Sequence, residues 1–197
     1  VGLMLGAPAV AQDTTQTPWS GELAVTYGRN LGQGLNVGGL VGEVKKNLGG
    51  YFAIGGRVGG LIGVGRQADG ASGYAGTPVL AKAEVFPSKS ARRPFLGAGV
   101  GGTFFSAGGV EVAGDGLGTE ASAYGAQGPL FTVMPEVGLD LGGFRIAVQH
   151  SFMMGSARSI ATSVALRLDT DIADYDYPSA GVTTVQIGGH FGGPKIR

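Results

Sequence analysis

From Trp19 to Phe191, apolar residues alternate with small or polar ones in runs whose period of two sends successive side chains to opposite faces of a strand. In GFRIAVQHSF at 143–152, Phe144, Ile146 and Val148 share one face, and Arg145, Ala147 and Gln149 share the other. Such a strand fits a soluble sheet with its apolar face buried, or a membrane barrel with that face in lipid and the charge in the lumen. Eight runs of this kind, bounded by glycine, proline and polar clusters, cover 19–29, 36–48, 51–66, 78–87, 94–106, 129–141, 144–155 and 181–191. No convincing helical period lies between them.

Most of these runs hold 10 to 16 residues, longer than globular strands and enough to cross a bilayer at a tilt. Short connections (LGGY, SKSARR, LGGF) alternate with longer ones of about 11, 22 and 25 residues around 67–77, 107–128 and 156–180, the first hairpin being the exception. Short turns at one end and long loops at the other are the pattern of outer-membrane barrels. Trp19, Phe52, Phe144 and Phe191 fall at the short-turn ends of their runs, and Tyr27, Phe104, Phe131 and Phe152 fall towards the long-loop ends. They share parity with the apolar set, as two interfacial girdles would. The opposite parity carries Glu22, Glu43, Lys45, Arg57, Lys82, Glu84, Glu136, Asp140, Arg145 and Gln149. In a narrow eight-stranded lumen these acids and bases would neutralise one another. The pattern therefore predicts an all-β fold, an eight-stranded antiparallel up-and-down transmembrane β-barrel over 19–191. Residues 158–168 also alternate and are expected to extend a hairpin above the membrane.

Composition narrows the picture further. Forty of 197 residues are glycine without a G-X-Y period, which excludes collagen, and the formal net charge is zero, which gives no basic excess for nucleic acid. Cysteine is absent, so disulfides, thiolate metal sites and cysteine nucleophiles are ruled out. Val1 to Ala11 read as the remnant of a secretory signal peptide, with Ala9 and Ala11 as the small residues of its cleavage site; 12–18 form a linker and 192–197 a tail.

With AVTYGRNLG, YFAIGGRVGGLIGVG, PFLGAGVGGTFF, FRIAVQHSF and TTVQIGGHF in place, the chain resembles the outer membrane protein beta-barrel domain family, the small barrels of the OmpA and OmpX kind in Gram-negative envelopes. The resemblance implies residence in the cell outer membrane, contact with its lipid, and roles that are structural, adhesive or loop-binding. It also makes Phe191 the terminal aromatic read by the barrel-assembly machinery, although GGPKIR follows it here.

Candidate chemistry adds little to that. GGRVGGLIGVG lacks the helix a phosphate-binding fingerprint needs. DTDIADYDY gathers Asp169, Asp171, Asp174 and Asp176, yet Ala173, Asp174 and Ala180 break the calcium-loop pattern, so a solvated acidic loop is expected, with Tyr175 and Tyr177 available for contact by an extracellular partner. His150 and Ser151 are adjacent and so face opposite sides of a strand, which disfavours a lipid-modifying hydrolase; His150 itself shares the lipid-facing parity, and His190 the inward one. The expectation is a monomer without cofactor, metal or catalysis, acting structurally or through its loops. A narrow pore, a soluble lipocalin-like carrier and a lipid-modifying enzyme are the alternatives.

Overall fold

The computed structural model describes residues 18–31, 34–67, 70–90, 92–114, 119–165, 167–176 and 181–192, with side chains outside 66–71, 109–126 and 156–176. Ten strands follow in order: β1 (Trp19–Asn30), β2 (Leu35–Leu48), β3 (Phe52–Gln67), β4 (Gly70–Val85), β5 (Arg93–Gly114), β6 (Thr119–Asp140), β7 (Phe144–Met154), β8 (Ser156–Ala165), β9 (Arg167–Asp176) and β10 (Val182–Gly192). Neighbours from β1 to β7 pair antiparallel, and β10 pairs with both β7 and β1. The wall is thus the closed eight-stranded antiparallel barrel that the period of two predicts. Closure removes the free edges that an open sheet would expose.

The ring is staggered. From Tyr27, pairings through Gly38, Ile62, Ala75 and Ser106 lead to Gln127 on β6, while the opposite path through Val185 and Val148 leads to Val137, ten residues further along the same strand. Such a stagger tilts the strands and sets the width of the lumen. At the short-turn end, tight reversals use Gly49 and Gly50 (φ 66° and 80°) and Gly142 and Gly143 (φ 80° and 142°), conformations open to glycine at little cost.

Three strands run further than the sequence suggests. β4 starts at Gly70, β5 continues to Gly114 and β6 starts at Thr119, so the expected loops at 67–77 and 107–128 are largely paired backbone. GASGYAG and SAGGVEVAG are built from small residues, which pair through their backbones but leave little apolar alternation to read. Pro78 adds to the disguise of β4, since the β3–β4 ladder skips the pairs around it; inside the predicted run at 129–141 the β6–β7 ladder likewise skips those around Pro135, where an N–H is missing.

The expected hairpin extension is present as β8 and β9, and β8 pairs with β6 over Ala121–Gln127. Asp169, Asp171, Asp174, Tyr175 and Asp176 therefore stand in a strand rather than in the expected loop, because the alternating β8 supplies a pairing partner that outweighs the poor strand propensity of aspartate. Tyr177, the signal remnant at 1–11, linker residues 12–17 and tail residues 193–197 lie outside the described residues, while Gly192 completes β10 instead of opening the tail.

Candidate functional site

The strand parity that points apolar residues outward brings acids and bases together inside. Glu22, Glu43, Lys45, Arg57, Lys82, Glu84, Glu136, Arg145 and Gln149 project inward from β1, β2, β3, β4, β6 and β7 and are 1–5% exposed. Lys82 Nζ lies 2.6 Å from Glu136, 2.7 Å from Glu43 and 3.0 Å from Glu84. Lys45 Nζ reaches Glu22 at 2.9 Å, Glu43 at 3.0 Å and Glu84 at 3.1 Å. Arg57 Nη1 meets Glu43 at 3.0 Å and donates to Gln149 Oε1 at 2.7 Å. Arg145 bridges Glu22 at 3.0 Å and Glu84 at 2.9 Å. Four carboxylates thus face four cations. A buried charge is tolerated only with partners of opposite sign, and this cluster gives each of its charges at least one.

Apolar and neutral layers close the cluster from both ends. Towards the short turns, Arg145 Cζ stacks 3.5 Å from the centre of the Phe95 ring and Arg93 Cζ 3.7 Å from that of Phe86. Phe95 covers Gly138 so closely that a Cβ there would stand 2.5 Å from its ring. Asp140, the tenth residue of the predicted lumen set, stands apart at this end, 4.0 Å from Arg93 Nε and 3.7 Å from His190 Nδ1. Towards the other end, Gln149 donates to Thr184 at 2.8 Å, Thr132 donates to Thr103 at 2.8 Å, and Leu35, Val37, Leu61, Tyr74, Phe105, Leu130, Met153 and Val182 pack together. Among the described residues, side chains occupy the lumen at each of these levels.

Sequence reasoning missed Arg93, Phe95, Thr103, Thr132 and Gln186, which donates to Glu22 at 2.7 Å. Between 94 and 106 no charged residue labels the inward face, so only the alternation of Phe95 with Leu96 could have marked it.

The outward face is the converse. The eight girdle aromatics, Trp19, Tyr27, Phe52, Phe104, Phe131, Phe144, Phe152 and Phe191, are 37–66% exposed, and Leu23, Val25, Leu40, Val44, Val58, Val100, Val137, Val148, Val185 and Ile187 are exposed around them. Every carboxylate with a described side chain points inward. His150 does keep the outward parity: Met153 is buried and Phe152 exposed, so no bulge reverses the strand at Ser151. Its Nδ1 shares a 2.7 Å hydrogen bond with Thr183 Oγ1 across the β7–β10 ladder, and its ring meets Phe152 edge-on at 4.3 Å.

No family model and no curated protein matches the chain. Among solved structures, the N-terminal beta-barrel domain of OprF from Pseudomonas aeruginosa is 10% identical, with 89% of this chain and 99% of that chain covered and a TM-score of 0.39. The outer membrane protein OprG from Pseudomonas aeruginosa is 12% identical, with 90% and 97% covered and a TM-score of 0.47.

Proposed function

We propose that this chain is a monomeric barrel of the cell outer membrane that acts structurally, or by binding an extracellular partner through its extended hairpins, without catalysis and without a conducting lumen. The observation that carries this reading is the outward face, an apolar belt with aromatics towards both ends and no carboxylate among the described side chains. In water such a belt would be an aggregation surface, whereas in a bilayer it is the expected covering. The filled, charge-neutral lumen opposes a pore, since eight strands leave an interior that side chains alone occupy. It equally opposes a carrier cavity.

Phe191, 66% exposed near the end of the closing strand, is suited to recognition by the barrel-assembly machinery. The acidic strand β9 and the tip of the β5–β6 hairpin are the places for a partner to bind. The decisive experiment is gel migration of the protein from isolated outer membranes with and without boiling. Recovery there with a boiling-dependent shift is expected; recovery as a soluble protein without a shift overturns the membrane assignment. Replacing residues 156–176 by a short turn should remove partner binding and leave the shift intact, and unchanged binding would move the contact elsewhere.

A further inference from the structure

Towards the long-loop end of β7, β10, β1 and β2, one register row interrupts the apolar outward face. His150 on β7 pairs with Thr183 on β10, Thr183 with Arg29 on β1, and Arg29 with Asn36 on β2, so four adjacent strands each present a polar residue along one line of the ladder. All four have the outward parity. On the short-turn side of the row the same strands carry Val148, Val185 and Tyr27; beyond it stand Phe152 and Leu31. Among the described side chains, Arg29 is the only ionic group facing outward at the long-loop end, and every described carboxylate is inside the barrel. Arg29 reaches towards the β1–β2 hairpin at the long-loop end, its Nη2 lying 3.7 Å from where a Cβ on Gly34 would stand. A long basic side chain takes this course when its stem lies in hydrocarbon and its head seeks a polar boundary. Gly181 (φ 65°) opens the other end of the row, since a Cβ there would stand 2.9 Å from His150 Nε2.

We propose that Arg29, Thr183 and His150, flanked by Asn36, bind the phosphate of an anionic lipid headgroup in the outer leaflet. A permanently charged guanidinium supplies paired donors suited to phosphate oxygens, and the imidazole, hydroxyl and amide beside it add shorter-range hydrogen bonds. Facing hydrocarbon, these groups would each be costly; at the headgroup boundary the same groups become a site. The outward absence of carboxylates among the described side chains removes competition for the cation. The inference rests on the membrane reading, which the boiling shift tests separately.

The test is lipid retention, measured by native mass spectrometry on folded protein in lipid nanodiscs holding equal amounts of phosphatidic acid and phosphatidylcholine. The wild-type protein should retain phosphatidic acid preferentially, and Arg29→Gln should reduce that preference about fivefold, the effect of one basic residue beside a charged lipid surface. Arg29→Lys should keep most of it, and Thr183→Val should weaken it less than Arg29→Gln. Thr77→Val, an exposed outward position on β4 away from the row, should leave it unchanged. Equal retention of the two lipids by the wild type, or a preference that survives Arg29→Gln, overturns the proposal. Displacement of the lipid by inorganic phosphate alone also overturns it, because the site would then take the free anion. A normal boiling shift in each variant confines the outcome to the row.

Discussion

The two halves of the lumen are built from opposite materials. Near the middle, Glu43 holds Lys45, Arg57 and Lys82 within 3.0 Å, whereas towards the long-loop end Leu130, Tyr74, Phe105 and Met153 fill the same cylinder by shape. Ion pairing is unforgiving of register, because a slip of one residue would turn the whole charged set towards the outside. Apolar packing is forgiving of identity but not of volume. The charged half therefore specifies which strands meet at which residues, and the apolar half makes the finished barrel dense.

That contrast is open to direct measurement by urea unfolding of protein refolded into vesicles. Glu43→Ala should cost most, about 3–5 kcal/mol, because three buried cations lose a shared carboxylate. A loss near zero would mean that the centre is wet and its charges solvated, erasing the distinction. Leu130→Ala comes next, at about 3 kcal/mol, as it opens a cavity beside Met153 and Tyr74; refilling by Leu130→Met should recover most of it, while the centre should accept no comparable swap. Thr132→Val should cost least, about 1 kcal/mol, for the lost hydrogen bond to Thr103. A larger penalty there would place the threonine layer with the charged half.

The charged half was also the legible half. Glu22, Lys45, Arg57 and Arg145 announce the inward face because a charge among alternating apolar residues leaves a period-two pattern only one sensible orientation. Leu130, Phe105 and Phe95 give no such label, since an apolar residue can face lipid or core with equal ease. Strand extent failed for a related reason: in GASGYAG and SAGGVEVAG, pairing is decided by the neighbouring backbone, which single-sequence patterns do not record. The outward polar row could not be read from the sequence at all. Its members are distant along the chain, and only the stagger of the closed ring aligns His150 with Thr183 and Thr183 with Arg29.

Closure of the ring also governs the order of assembly. Glu22 can meet Lys45 within the first hairpin, 23 residues away, but Arg145 is 123 residues distant and Gln186, on the closing strand, 164. Contacts of such sequence separation form late and slowly. A partly assembled wall would hold Glu22 with only its nearest partner while water still reaches the others. The interior thus acts as a completion check: drying of the centre waits for the last strand, and only a shut ring leaves no edge of the wall unpaired.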